Sequence, residues 1–206
     1  YDLGGIAGKS YDGSIKNAYN TGLITGNGYD AIAAGIVAEN GAEIKNVYNT
    51  GKIVNGYNIV TDGSGISNAY YAVRNGDTIL GYKKFGSGTL LTLEEFGKDF
   101  EKGLDTASKD SWKFYNGYTD PLLEGFLKKI TIDGDSITGG DTVYNGSEQN
   151  AGLSGLADGI LVGSKKNAGD YDLNDLLYSG QDGYDIEIVN DGTKFIINKA
   201  QLTVTA

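Results

Sequence analysis

The chain has 206 residues, enough for one large domain or two small ones, and carries a formal net charge of −10 with a pI near 4.4. Only 17 residues are Lys or Arg and no basic run occurs, which argues against binding to nucleic acid or to an anionic membrane surface. Cys and His are both absent, which excludes disulfides, thiolate metal sites and the commonest general base.

Composition also points to strands rather than helices. Gly accounts for 33 residues and Pro for one, a balance that favours many short strands joined by tight turns. No apolar run approaches the roughly 20 residues that cross a bilayer, so no membrane insertion is expected. Met is absent as well, and we expect the chain to be a segment of a longer protein.

One octapeptide recurs through the first third of the chain. Residues 15–22 (IKNAYNTG) return as residues 44–51 (IKNVYNTG) and, in a shortened form, as residues 66–71 (ISNAYY). The steps between the copies are 29 and 22 residues. Short segments that recur at such steps and cannot bury their apolar residues alone are typical of stacked, solenoid-like arrays.

A Gly-rich lead precedes each copy, at residues 4–8 (GGIAG), 34–38 (AGIVA) and, in a shrunken form, 63–65 (GSG). Within a copy, strand alternation predicts Ile15, Asn17 and Tyr19 on one face and Lys16 and Ala18 on the other. The Asn-Thr-Gly that ends each full copy suits a corner, because Asn and Gly tolerate positive φ.

Stacking of the copies superposes equivalent side chains. The expected columns are Asn17, Asn46 and Asn68, and Tyr19, Tyr48 and Tyr70. Aligned amides hydrogen-bond along such a stack and aligned rings pack. We interpret both columns as internal ladders; the alternative is a ligand-binding row of asparagines and a sugar-stacking row of tyrosines.

The leads and the octapeptides together resemble the GLUG repeats of large bacterial surface proteins. These include filamentous-haemagglutinin-like adhesins exported by the two-partner route. The resemblance covers about the first third of the chain and implies a right-handed parallel β-helix.

A short helix is predicted after the repeats. Thr92 fits an N-cap, with Glu95 at the third helical position, and Leu93, Phe96 and Phe100 follow on one apolar face. Laid across the last repeat, this helix would cover the open edge of the stack. We interpret its carboxylates as a solvated side rather than a catalytic pair; they are Glu94, Glu95, Asp99 and Glu101.

Residues 112–127 (WKFYNGYTDPLLEGFL) form an aromatic, apolar segment. They resemble the segment of form W-x-x-Y-x-G-x-x-x-P-x-L-x-x-F that closes GLUG stacks. The matching residues are Trp112, Tyr115, Gly117, Pro121, Leu123 and Phe126. Trp112, the only tryptophan, is predicted to be core rather than a receptor contact.

The last third carries a different repeat. Residues 130–132 (ITI) form an alternating strand whose pattern returns at 202–204 (LTV), so the chain is expected to end in the first strand of a following copy. Alternation at 184–189 and 193–197 around residues 190–192 (NDG) predicts a β-hairpin. Residues 153–167 give no clear strand pattern.

This part is similar to the YDG and MBG modules, bacterial Ig-like repeats of the same adhesins. Residues 144–146 (YNG) stand in place of Tyr-Asp-Gly, and residues 197–200 (INKA) match the ending I-x-K-A. The resemblance implies a spacer that positions an adhesive region, with no catalytic residues.

Catalysis without His or Cys would need paired carboxylates 5–10 Å apart in a cleft. The turns between the repeats hold candidates for such a pair, namely Asp12, Asp30, Glu39, Glu43 and Asp62. None of them recurs as a focused constellation, so no catalytic residue is assigned.

Calcium is a further alternative. Asp133-Gly134-Asp135 and Asp62-Gly63-Ser64 offer oxygen ligands, but the EF-hand spacing is absent and few ligands gather locally. Asp-Gly pairs of this kind usually belong to turns, so neither a metal site nor a cofactor is predicted.

The sequence thus predicts an all-β protein in three parts. Residues 1–74 are the β-helix, 75–128 a capping region with a short helix, and 129–206 an Ig-like or β-sandwich-type module. The predicted function is non-catalytic attachment of a secreted or surface-bound bacterial protein to a host-cell receptor or glycan, after export through an outer-membrane two-partner transporter. The alternatives are a structural stalk and a polysaccharide-active β-helix enzyme.

Overall fold

The computed structural model describes residues 1–28, 31–115 and 117–201. Strands hold 45% of the residues and helices 12%, so the protein is mostly β, as predicted. Two compact units make up the chain, Tyr1–Trp112 and Lys113–Ala206. The division into parts at residues 74 and 128 stays a prediction.

The first unit begins with strands and ends with helices. Its strands are β1 (Asp2–Gly4), β2 (Ala7–Ser10), β3 (Ser14–Asn20), β4 (Ile24–Thr25), β5 (Ile32–Ala34), β6 (Val37–Asn40), β7 (Glu43–Asn49), β8 (Ile53–Val54), β9 (Ile66–Asn75) and β10 (Thr78–Lys84). Helices α1 (Leu93–Lys102) and α2 (Thr106–Lys109) follow, and β11 (Trp112–Lys113) lies where the two units divide.

The repeats form three stacked rungs. The first rung is β1–β4, the second is β5–β8, and the third is residues 57–60 together with β9. Each strand of the first rung pairs in parallel with its counterpart in the second, and β7 pairs in parallel with β9. Tyr19 lies opposite Tyr48, and Tyr48 opposite Tyr70, so the predicted register of the three copies is confirmed.

The third lead lies at residues 57–60 (YNIV), and its predicted position at residues 63–65 is wrong. Ala34 forms a parallel bridge with Tyr57, and the Ile36 amide donates to the Ile59 carbonyl at 2.9 Å. Ile59 is fully buried, because an apolar side chain there fills the interior between lead and octapeptide. Burial of an isoleucine, and not the glycine pattern, fixes the place of the lead.

Left-handed asparagines change which faces the octapeptide presents. Asn17, Asn46 and Asn68 have φ values of 53°, 55° and 48°. One left-handed residue inside a strand interrupts the alternation of side chains. Ile15 and Ala18 therefore both pack into the interior cluster, and the prediction that Ile15 shares a face with Asn17 is wrong.

Helix α1 has the predicted cap and the predicted buried face. The Thr92 hydroxyl accepts from the Glu95 amide at 3.3 Å, and the Glu95 carboxylate accepts from the Thr92 amide at 2.8 Å. Phe96 and Phe100 are fully buried, and the Phe96 ring lies 5.2 Å from that of Tyr70. The helix thus covers the tyrosine side of the third rung.

The open edge of the third rung is covered by a strand, and not by the helix as predicted. β10 pairs antiparallel with β9, with a shift in register between Ile79 and Gly81. An edge strand without a partner exposes a row of backbone donors and acceptors, and β10 satisfies that row.

The second unit is built from short strands. They are β12 (Leu122–Leu123), β13 (Lys128–Asp133), β14 (Thr142–Val143), β15 (Gln149–Asn150), β16 (Leu161–Val162), β17 (Ser164–Lys165), β18 (Gly169–Asp172), β19 (Leu177–Tyr178), β20 (Tyr184–Val189) and β21 (Lys194–Asn198). Single 3₁₀ turns lie at Glu124–Phe126, Gly134–Ser136 and Leu173–Asp175. The strand predicted at residues 130–132 is confirmed within β13.

The strands predicted at residues 184–189 and 193–197 exist, but the predicted hairpin between them is wrong. β20 pairs in parallel with β13, whereas β21 pairs antiparallel with β18 and in parallel with β14. Ile186 belongs to one hydrophobic cluster, and Phe195 and Ile197 belong to another. The strand predicted at residues 202–204 lies outside the described residues.

The connection between β20 and β21 explains this change of sheet. Asn190 adopts a left-handed φ of 53°, and the Gly192 amide donates to the Asn190 carbonyl at 2.8 Å. The Thr193 hydroxyl then donates to the Gly134 carbonyl at 3.0 Å. A turn that is tight and anchored elsewhere in this way directs the chain to a second sheet instead of returning it alongside the first.

Candidate functional site

The asparagine column is a hydrogen-bonded ladder inside the first unit. The Asn68 amide donates to the Asn46 side-chain oxygen at 2.9 Å, and the Asn46 amide donates to that of Asn17 at 3.2 Å. At its two ends, the Trp112 indole donates to Asn17 at 3.2 Å and the Asn68 amide donates to the Phe100 carbonyl at 3.1 Å. Asn46 is fully buried, so the ladder is internal, as predicted.

A second ladder runs along the corner of the rungs. The Asn20 amide donates to the Asn49 side-chain oxygen at 2.8 Å. The side-chain oxygen of Asn20 accepts from the Gly22 backbone amide, and that of Asn49 accepts from the Gly51 backbone amide, each at 3.1 Å. Sequence reasoning assigned Asn20 only to a turn, although its recurrence at the same place in both copies was a signal for this second column.

The tyrosine column is packed and not free for sugar stacking. The rings of Tyr19 and Tyr48 are stacked, 5.0 Å apart and 6° from parallel. Trp112 lies 5.9 Å from Tyr48 and is itself buried, as predicted. The Tyr70 hydroxyl donates to Asp99 at 2.8 Å, and burial together with this carboxylate raises the pKa of Tyr70 well above its ordinary value.

The carboxylates considered for catalysis lie at the surface of the rungs. Glu39 accepts from Lys9, and Glu43 pairs with Lys16 at 2.9 Å. Asp62 accepts from the Ser64 amide at 3.3 Å in a turn of its own. Asp12 is exposed, and Asp30 lies outside the described residues. Glu39 and Glu43 thus form ion pairs between rungs, and Asp62 stabilises a turn.

The Asp-Gly pairs considered for calcium likewise stabilise turns. Asp133 accepts from the Asp135 amide and from the Asn190 side-chain amide, both at 3.2 Å. Within residues 1–28, 31–115 and 117–201, no three Asp, Glu, His or Cys side chains are grouped as a metal site requires.

A surface groove of about 460 Å³ lies between α1 and residues 84–91, the segment that begins with the last residue of β10. The residues lining it are Lys84, Ser87, Thr89, Leu91, Glu95, Lys98, Asp99 and Lys102. Its carboxylates already have structural roles, since Glu95 caps the helix and Asp99 accepts from Tyr70. Lys98 pairs with Glu94 at 2.6 Å and Lys84 lies 3.9 Å from Asp99, and each ammonium group still has further N–H donors that suit a polar ligand. Sequence reasoning missed this groove because it depends on how residues 84–91 pack beside α1, which no sequence pattern predicted.

Of the helices that the structure describes, none has the length and apolar character needed to cross a membrane. Comparison of the chain with protein-family models, with curated proteins and with solved structures found no match.

Proposed function

We propose that this chain is a non-catalytic segment of a secreted or surface-bound bacterial adhesin of the filamentous-haemagglutinin-like, two-partner secretion type. It attaches to a host-cell receptor or glycan. In this proposal the first unit is a right-handed parallel β-helix of GLUG repeats and the second is an Ig-like module of the YDG or MBG kind. The in-register parallel rungs of the first unit and the short strands of the second, which pair in several small sheets, support it.

The observation that carries the proposal is the use of the repeated polar and aromatic side chains inside the protein. Asn46 and Tyr48, at the centre of their columns, are 0% and 1% exposed. A repeat whose recurring residues make internal contacts serves as a scaffold. Any recognition must then use surface residues outside the asparagine and tyrosine columns. The groove beside α1 is the surface that we assign to ligand contact.

Binding rather than turnover fits the chemistry of that groove. An enzyme acting on polysaccharide needs two carboxyl groups free to exchange protons with substrate. In the groove, the Glu95 carboxylate bonds to the Thr92 amide, which lowers its pKa, and Asp99 accepts from Tyr70. Incubation with acidic and neutral polysaccharides is expected to give no products.

A glycan array combined with whole-cell binding of the purified protein tests adhesion. Lys98→Gln with Lys102→Gln removes two groove cations, and the matched control, Lys128→Gln with Lys166→Gln, removes the same charge elsewhere. We expect bound ligand or cells to fall at least about fivefold for the groove variant, because charge-assisted contacts contribute roughly 1.5–3 kcal/mol each, and to be unchanged for the control. Equal binding by both variants would contradict the assignment of the groove.

A stalk that only spaces other regions is the second candidate, favoured by the same internal use of the repeat residues. Its signature is a protein that binds no glycan and no cell in the assay above. That result would replace adhesion by spacing as the function of this chain.

A further inference from the structure

The stack of rungs is covered at one end and open at the other. The edge of β9 in the third rung is paired by β10. In the first rung, β3 is the terminal strand of its four-stranded sheet, and β1, β2 and β4 each pair on one side only among the described strands. The free end of the first rung therefore presents unpaired strand edges.

Side chains of the first rung are exposed where their counterparts in the second are buried. Ile6 is 45% exposed, whereas Ile36 is fully buried. Leu3 is 39% exposed, whereas Ala33 opposite it is fully buried. The free end thus has both unpaired strand edges and exposed apolar side chains. The same two features form the interface between the first and second rungs.

Two equivalent glycines show what this end accommodates. A Cβ on Gly51 would lie 2.1 Å from the Gly22 carbonyl oxygen beneath it, so only glycine fits. A Cβ on Gly22 would meet only the Asn20 side-chain oxygen, at 3.4 Å, an ordinary contact. Neither residue has a left-handed φ. Within the described residues nothing requires glycine at position 22. A backbone carbonyl beneath Gly22, placed as the Gly22 carbonyl is beneath Gly51, would require it.

The corner ladder points to the same place. The Asn49 side-chain oxygen accepts two hydrogen bonds, from the Gly51 amide and from the Asn20 side-chain amide below. The equivalent oxygen of Asn20 accepts from the Gly22 amide. A carbonyl-type oxygen has two lone pairs, so Asn20 has capacity for a second donor from below.

We infer that the free edge of the first rung binds a further rung of the same pattern. This rung is a polypeptide segment that runs parallel to β3 and ends in its own Asn-Thr-Gly corner. Its corner carbonyl lies under Gly22, and its asparagine amide donates to Asn20. The interface repeats the one between the first and second rungs, with two exceptions. Asn17 already accepts from Trp112 and donates to Ser111, so the ladder that continues is the corner ladder of Asn20. At residues 11–13 the first rung has one residue more than the second has at 41–42.

A second copy of this chain does not fit the same edge. Its third rung is covered by β10, so it can offer only its own first rung. Two identical edges related by a two-fold axis either run antiparallel or turn their interiors to opposite sides. Neither arrangement places an Asn-Thr-Gly corner under Gly22 with the buried face aligned.

The test adds a rung and asks whether Gly22 begins to matter. A duplicate of residues 1–30 is fused ahead of Tyr1, since the leads of the first and second rungs are 30 residues apart in register. Gly22→Ala is then made in the natural and in the extended chain, with Gly51→Ala as the matched control. Thermal midpoints are followed by Trp112 fluorescence, and amide exchange of residues 14–20 by mass spectrometry.

In the natural chain we expect Gly22→Ala to shift the midpoint by less than about 1 °C and Gly51→Ala to lower it by at least about 5 °C. In the extended chain Gly22→Ala is expected to cost about as much as Gly51→Ala. Amides of residues 14–20 should exchange at least about tenfold more slowly. If Gly51→Ala does not fold, the exchange of residues 14–20 decides alone.

Three results would overturn the inference. Gly22→Ala could already cost several degrees in the natural chain, which would mean that the glycine serves that chain. The added rung could leave residues 14–20 unprotected and Gly22→Ala without cost. The natural chain could instead dimerise with residues 14–20 protected, which would assign the edge to a second copy. None of these results bears on adhesion, which the glycan and cell assays test separately.

Discussion

Replacing Asn46 by Ala probes the ladder at its centre, where the side chain is fully buried. The substitution removes one hydrogen bond to Asn17 and one from Asn68, each contributing roughly 0.5–1.5 kcal/mol. It also leaves a residue with a Cβ at φ 55°, where alanine lacks the local tolerance of asparagine and loses roughly 1–2 kcal/mol more. The free energy of unfolding of the first unit should therefore fall by about 2–5 kcal/mol.

Asn46→Gly separates the two causes. Glycine adopts the left-handed conformation freely but cannot make the bonds, so we expect it to be less destabilising than alanine by about 0.5–1 kcal/mol, after allowing for its greater freedom in the unfolded chain. Asn27→Ala, at an exposed site, is the matched control and should change stability by less than about 0.5 kcal/mol.

Urea unfolding followed by Trp112 fluorescence is the assay, because this single tryptophan packs on the tyrosine column. A loss below about 0.5 kcal/mol for Asn46→Ala would mean that the ladder contributes little to stability. A glycine variant less stable than the alanine variant would refute the role of the left-handed backbone.

Three further substitutions test the cap of α1 and two titrating groups. Thr92→Ala removes the N-cap and should lower the urea-unfolding free energy by about 1 kcal/mol; an unchanged midpoint would contradict the cap. The hydrogen bond from Lys45 lowers the pKa of Asp105 to about 2, so its stabilisation is present above the ordinary value of 3.8 and is lost as the pH falls toward 2. The difference in melting temperature between the natural protein and Asp105→Asn should close over that range, and a constant difference would exclude the linkage. Burial raises the pKa of Tyr115 to about 12, so the folded protein keeps a proton that the unfolded chain loses near pH 10. Stability should fall between pH 10 and 12, less so in Tyr115→Phe, and equal slopes in pH-dependent melting curves would argue against it.

Sequence alone predicted the features that depend on repetition and on local chemistry. Tyr19, Tyr48 and Tyr70 hold the same position within their copies of the repeat, and this predicted the register of the rungs because equivalent residues of a stack lie above one another. The Thr92 and Glu95 pair gave the start of α1, since a capping box is formed within a single turn.

The features that sequence missed depend on contacts between distant residues or on one backbone angle. The sequence does not distinguish an asparagine with a left-handed φ from an extended one. Strand alternation was therefore assumed to continue through Asn17, and Ile15 was assigned to the wrong face. β10 was not predicted because it is stabilised by pairing with the edge of β9, and its own sequence gave no strand pattern. The groove beside α1 was missed because it forms where residues 84–91 pack beside the helix, a tertiary contact with no sequence pattern of its own.

The left-handed asparagine in each rung also limits which strands can pair with the edge of the sheet. The paired registers of β3 with β7 and of β7 with β9 both pass over the asparagine position. A flat extended strand from an unrelated protein has no matching kink, so it loses register halfway along the edge of β3. The edge of β3 is thereby selective: it disfavours the unspecific strand-to-strand growth that gives fibrils and favours a strand with a left-handed asparagine at the same position.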